Sequence, residues 1–250
     1  MLVDFQARTD PFMSEAMTRV AAGAIGSVAF GEATYHGEDP FTARREGAPE
    51  LAADPDNPEK RLRAWGLDRA FSGDIVVEQA VHVLDMLAWG LGRTPVDAAG
   101  TGARAARPAG TSFDNFTAVL RYGDGVGVTF SHRQIKGHDT VPSGIRLRLF
   151  GAEGVLEATY AGDTLIRGMQ FYRGGRSGGL FKDGAVANIA AFHASILAGR
   201  CANETVEPSV QSNLLAILVR EAAYAGAPLR WDDLLKSATA VDGKLAGLKD

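Results

Sequence analysis

Asn115-Phe116-Thr117-Ala118-Val119-Leu120-Arg121-Tyr122-Gly123-Asp124-Gly125-Val126-Gly127-Val128-Thr129-Phe130-Ser131-His132-Arg133-Gln134-Ile135 reads as two strands around a glycine-rich turn. Two β-rich runs joined by Gly-Asp-Gly are a hairpin signal. A second hairpin follows: Ile145 to Phe150 and Val155 to Tyr160 flank Gly151-Ala152-Glu153-Gly154. Val96 to Arg104, Thr164 to Arg167 and Met169 to Tyr172 read as further strands, and Gly174 to Gly179 as a flexible turn. Helical patterns come next, at Val186 to Ala198 and at Val206 to Ala225. Pro228 to Trp231 reads as a short strand, and Asp232 opens a last helix.

Upstream, Leu2 to Gln6 reads as a short strand. Asp10 is an N-cap with Pro11 at the first helical position, and Gly23 stops that helix. Ser27 to Tyr35 is the next strand. Residues 37–61 are rich in Pro, Asp, Glu and Arg and read as a long surface excursion. An apolar helix follows, ending near Gly90 and Gly92. Helix, consecutive hairpins, then helices predict one α+β domain over residues 1–250. Its large, mainly antiparallel sheet would have helices packed on one face.

Hydrophobic residues make up 46% of the chain and charged ones 22%, which suits a soluble globular protein that buries a sizeable core. A net charge of −4 gives no electrostatic case for nucleic acid or anionic membranes. The lone Cys201 excludes an internal disulfide and fits a reducing, cytoplasmic setting. No run approaches the ~18 apolar residues of a spanning helix, and the opening residues lack a signal-peptide pattern.

The apolar helix Ser72-Gly73-Asp74-Ile75-Val76-Val77-Glu78-Gln79-Ala80-Val81-His82-Val83-Leu84-Asp85 carries chemistry. Glu78, His82 and Asp85 fall at i, i+4 and i+7 on one face, and Trp89 extends the stripe. Ionisable groups in so apolar a helix are paired or functional. Three readings stay open on the spacing: a catalytic dyad, a hydrogen-bonded core pair, and metal ligation, for which no second His or Cys pair is near. Gly100-Thr101-Gly102-Ala103-Arg104-Ala105 spells G-x-G-x-x-A, but Arg107-Pro108-Ala109-Gly110 follows and no helix can open there. A dinucleotide site is not expected.

The chain resembles the C-terminal domain of the Gfo/Idh/MocA oxidoreductases. Phe5-Gln6-Ala7-Arg8-Thr9-Asp10-Pro11, Gly23-Ala24-Ile25-Gly26-Ser27-Val28, Ser72 to Asp85, Phe150-Gly151-Ala152-Glu153-Gly154 and Arg220-Glu221-Ala222-Ala223-Tyr224 carry the resemblance in order. It implies hydride transfer between NAD or NADP and a hydroxyl-bearing carbon of a sugar, inositol or related polyol. By position His82 would be the acid/base, a role that suits its near-neutral pKa. Glu78 stands where the family has Asp, and would orient His82 or bind substrate hydroxyls. Asp85, Arg8, Trp65 and Lys136 are further candidates for the substrate pocket.

The departures matter as much. The family's cofactor domain, with its G-x-G-x-x-G and Glu-Lys-Pro segments, has no counterpart here. The chain begins where the second domain would begin. Ser72-Gly73-Asp74 replaces three glycines. The expectation is therefore a substrate domain that is incompetent alone, and three accounts stay open: a domain fragment, a subunit that meets a separate Rossmann-domain chain, and a descendant that has lost redox chemistry. The alternative is a non-redox binding module that forms homo-oligomers through its open sheet face. A cofactor-free lyase or isomerase is a third possibility.

Overall fold

A computed structural model of the protein describes residues 1–38, 42–141, 143–237, 240–246 and 248, with the backbone alone for 42–46. Its strands are β1 (Val28–Gly37), β2 (Asp97–Ala103), β3 (Asn115–Arg121), β4 (Gly127–Gln134), β5 (Gly144–Gly151), β6 (Gly154–Thr159), β7 (Asp163–Gly168), β8 (Tyr172–Arg176) and β9 (Leu229–Arg230). Its helices are α1 (Pro11–Ala21), α2 (Thr42–Ala53), α3 (Pro58–Arg63), α4 (Arg69–Ser72), α5 (Ile75–Glu78), α6 (Val81–Leu91), α7 (Leu180–Leu197), α8 (Val206–Ala225) and α9 (Trp231–Lys236).

The described strands form one sheet in the order β8-β7-β6-β5-β1-β4-β3-β2-β9. The α+β class with a mainly antiparallel sheet is borne out. Both hairpins are present: β3 pairs β4 and β5 pairs β6 antiparallel. At the first turn Asp124 (φ 63°) and Gly125 (φ 76°) take the left-handed conformation that short polar residues and glycine tolerate. The central pair, β1 with β4, is parallel, with Tyr35 opposite His132 and Gly37 opposite Gln134.

Alternation along each strand selects the buried face. Phe116, Ala118 and Leu120 of β3, Val128 and Phe130 of β4, and Ile145, Leu147 and Leu149 of β5 are all buried. They meet α1, α6 and α8. From α6 come Val81, Val83, Leu84, Met86 and Leu87; at about 2 kcal/mol per buried side chain, that is of order 10 kcal/mol before ordering entropy. The other face is polar. Arg148 bridges Glu32 (3.2 Å) and Glu157 (3.7 Å), and Arg167 reaches Glu157 (3.2 Å). These pairs stay hydrated and contribute little individually.

Several elements depart from expectation. Leu2 to Gln6 is not a strand: Gln6–Thr9 is a 3-10 turn, and the Val3 amide is taken by Thr205 Oγ1 (2.9 Å). The excursion over 37–61 contains α2 and α3, apart from residues 39–41, which lie outside the described residues. Asn57 caps α3 by accepting the amides of Glu59 and Lys60. Ala48, Leu51, Ala64, Leu67 and Ala109 make a small second core there. That core is built largely from alanines scattered among charges, which leave little hydrophobic periodicity. Gly174 and Gly175 lie inside β8 rather than in a turn, and α7 starts six residues earlier than its periodicity suggested.

Candidate active site

The apolar helix is two helices, and its entry is strained. Asp74, where the family pattern has glycine, sits at φ 78°, ψ 161°, a region populated almost only by glycine. A fully buried carboxylate holds it there. Oδ1 accepts the Ile75 amide (2.6 Å), while Oδ2 accepts the Phe113 amide (3.1 Å) and the Tyr224 hydroxyl (2.5 Å). Burial pushes the Asp74 carboxyl up, against the pull of these three donors.

α5 lasts one turn. The amides of Gln79 and Ala80 both bond to the Ile75 carbonyl, at 2.9 and 3.1 Å, and the ladder resets before α6. Gln79 is buried and its carboxamide accepts a hydrogen bond from the Gln134 side chain on β4. That inward polar contact coincides with the break.

The break divides the stripe. Glu78 ends α5, half-buried, and makes no hydrogen bond to His82. His82 stands on the first turn of α6 between Phe5, edge-on at 6.0 Å, and Tyr160 at 5.4 Å. Its Nδ1 is buried with no hydrogen-bond partner. Burial pushes its pKa down, and the charges of Asp85 and Asp4 pull it back in part.

Asp85 and Trp89 instead engage Arg8. Arg8 Nε and Nη2 reach Asp85 Oδ1 at 3.1 and 2.8 Å, Nε reaches Oδ2 at 3.0 Å, and Ser212 donates to Oδ1 at 2.7 Å. The Arg8 guanidinium also lies 5.0 Å from the Trp89 ring. Burial pushes the Asp85 carboxyl up, opposed by Arg8, Ser212 and His82. Both Asp85 oxygens are spent inside the protein, so the pair clamps the 3-10 turn to α6 and α8.

Two cavities flank the carboxyl ends of β1 and β4, a placement typical of ligand sites in open sheets. The first, about 650 Å³, is lined by Tyr35, His36, Arg133, Asp139, Tyr160 and Phe181, among others. Tyr160 therefore stands between that cavity and His82, its hydroxyl donating to Gln6 Oε1 at 2.6 Å. The second, about 560 Å³, is lined by Glu38, Arg107, Gln134, Lys136 and His138 beside Leu67 and Pro108. Lys136 thus lies in a cavity wall. Trp65, exposed on the turn before Leu67, lines neither cavity.

Sequence reading missed Tyr160, Asp74, Gln79, His132 and Gln134. His132 and Gln134 continue the Val128–Phe130 alternation onto the buried face, so a polar end to an apolar face was a usable signal. His132 packs on Tyr35 (4.8 Å between rings), and neither ring nitrogen has a hydrogen-bond partner. Burial, with the positive charges of Arg107 and His36, pushes its pKa down to about 3, so it is neutral. Tyr160 sits just past the end of β6, where no periodicity singles it out.

No group of three or more metal-ligating side chains occurs among the described residues. Gly100 and Gly102 lie in β2, opposite Ala118 and Phe116 of β3, rather than at a helix N-terminus. A dinucleotide pyrophosphate finds no cradle there.

No curated protein matches the chain in sequence. Solved structures do match in fold. Myo-inositol 2-dehydrogenase from Lactobacillus plantarum is 20% identical with a TM-score of 0.62, over 90% of this chain and 63% of its own length. Aldose-aldose oxidoreductase from Caulobacter crescentus, complexed with glycerol, is 17% identical with a TM-score of 0.66, over 92% and 63%. Levoglucosan dehydrogenase, complexed with NADH and levoglucosan, is 17% identical with a TM-score of 0.65, over 91% and 65%. The chain spans less than two thirds of the length of each. A model of the GFO/IDH/MocA C-terminal domain matches residues 13–157. The chain therefore belongs to the GFO/IDH/MocA family, by way of that C-terminal domain.

Proposed function

We propose that this chain is the substrate side of an NAD(P)-dependent oxidoreductase acting on a CH–OH group of a sugar, inositol or related polyol. The observation that supports it most is His82: a half-buried imidazole with a free, buried Nδ1 and depressed basicity, one ring away from a large cavity. A neutral imidazole is the form that accepts the hydroxyl proton of an alcohol undergoing oxidation. Glu78 would bind a substrate hydroxyl from the end of α5, Lys136 would meet substrate from the second cavity, and Trp65 would approach it from the rim. Arg8 and Asp85 would fix the turn of α6 from which His82 projects.

On this reading the cofactor is held by another chain or domain, and this one is incompetent without it. That dependence fits a cytoplasmic setting, where nicotinamide cofactors are abundant. Named relatives act on or bind inositol, levoglucosan and glycerol, which favours a small polyhydroxylated substrate. The test is dehydrogenase activity of the chain complemented with its cofactor-binding partner. His82→Ala should lower kcat by about 10²–10⁴-fold with little change in KM. Activity undiminished by that substitution would refute the role of His82.

A second reading has its own support. α7 exposes Phe181, Val186, Ile189, Ile196 and Leu197, and the outer sheet face is uncovered. A homo-oligomer or a non-redox binding module would use such surfaces. Dimerisation with no hydride transfer in any complemented assay would favour this reading.

A further inference from the structure

We infer that the cavity at the carboxyl ends of β1 and β4 receives a substrate bearing an oxyanion, a carboxylate or a phosphate, beside its hydroxyls. This rests on the polyol-oxidoreductase reading and narrows its substrate class.

The cavity of about 560 Å³ has the size of a small-ligand site. Lys136 and Arg107 line it with His138, beside the carboxylate of Glu38; Arg107 has an interaction of its own, so the cation offered to a ligand is Lys136. The Arg107 charge is felt as far as His132 and Asp74, where it opposes protonation of both. Lys136 lies two residues past the end of β4. Among the described residues it makes no ion pair or hydrogen bond, so its ammonium is available. A neutral polyol gives such a group nothing that a hydroxyl or amide would not supply at lower desolvation cost.

Gln134 supplies the hydroxyl half of the argument. It is 6% exposed, and its Nε2 is committed to Gln79. Its Oε1 is buried with no partner. A buried acceptor in a cavity wall is completed by a donor, and a substrate hydroxyl is one. The same carboxamide is tied through Gln79 to the break between Glu78 and His82, and the Gln79 carbonyl accepts the His82 amide at 3.1 Å. A molecule spanning Gln134 and Lys136 is therefore linked through one side chain, Gln79, to the element that bears the proposed acid/base.

The experiment is calorimetric titration of the chain, without any dinucleotide, with gluconate, glucose 6-phosphate and glucose. At least one of the two anions should bind about tenfold or more tightly than glucose. Which anion wins distinguishes carboxylate from phosphate. Lys136→Met, checked for an unchanged melting temperature, should bring the anion-to-glucose ratio near one, and raised salt should do the same to the parent. Equal or tighter binding of glucose, an unchanged ratio in Lys136→Met, or no binding of any of the three would overturn the inference. Anion-selective binding in a chain whose complemented complex transfers no hydride would keep this inference and refute the oxidoreductase reading. The reverse outcome would do the opposite.

Discussion

Arg8 and Asp85 meet fork to fork, with the carboxylate wholly buried and the guanidinium a quarter exposed. Breaking a buried pair leaves one partner uncompensated, at a cost of about 3–5 kcal/mol. Arg8→Ala should therefore destabilise the fold by that order at pH 7. Burial already holds the Asp85 carboxyl above its usual range, and losing Arg8 raises it further. For a raised pKa, the stabilising contribution is present at acid pH and is lost as pH rises through the folded value. Urea unfolding of Arg8→Ala should thus show a smaller deficit at pH 5 than at pH 8. An equal deficit at both would mean the pair is not electrostatically coupled.

Gly151 and Ile25 make a second contact with no slack. A β-carbon at Gly151 would run into the Ile25 carbonyl oxygen, which already accepts the Glu153 amide at 2.9 Å. The Ala152 amide bonds to Ser27 at 3.0 Å in the same place. Gly151→Ala has backbone rather than a flexible side chain to displace, so it should cost about 2–4 kcal/mol. Gly123→Ala, with open space around the same atom, should cost less than about 1 kcal/mol by the same denaturant measurement.

His132 sets an acid limb. It is neutral in the fold, with a pKa of about 3, and near 6.5 in the unfolded chain. Its stabilising contribution is complete above pH 6.5 and is lost as pH falls toward 3. The unfolded chain binds a proton there that the native one refuses, which gives a slope of up to about 1.4 kcal/mol per pH unit. His132→Phe keeps a ring against Tyr35 and removes the proton site. Stability measured from pH 6.5 to 4 should fall less steeply in the variant. His82, also depressed, adds to the slope in both proteins, so it cancels in the comparison. Parallel pH profiles would disprove the assignment.

α7 offers water a nearly apolar surface, with Ile189 at 69% and Ile196 at 57% exposure. Replacing both by Glu should change stability by less than about 0.5 kcal/mol per site. It should also reduce binding of a hydrophobic dye and self-association by light scattering. Loss of folding in the double variant would show that the helix depends on that face.

The fold class was legible because hairpins announce themselves locally: Gly123-Asp124-Gly125 and Gly151-Ala152-Glu153-Gly154 each turn a strand back on its neighbour. The parallel pairing of β1 with β4 was not, since nothing near Tyr35 points to His132, 97 positions on. At the site, the spacing of Glu78 and His82 was real, but it assumed an unbroken helix. The break coincides with the Gln79–Gln134 contact across the sheet, a tertiary pairing that helix periodicity does not reveal. Arg8 and Asp85 could each be singled out; their mutual clamp required the turn at Gln6–Thr9, where a strand was expected.

The parallel pairing of β1 has a consequence in time. Both neighbours of β1, β4 and β5, lie downstream of it, and the nearer begins 90 residues after β1 ends. During synthesis at ~5–20 residues per second, β1 waits roughly 5–20 s with both edges unpaired. Phe30 and Tyr35 are exposed through that interval, and Val28 with them. Contacts so distant in sequence close late and slowly. The walls of both cavities come from the ends of β1 and β4, so ligand affinity should return as the last phase of refolding, after the hairpins have formed. A nascent chain stalled before residue 127 has every motif of the striped helix and still lacks the surface against which it could act.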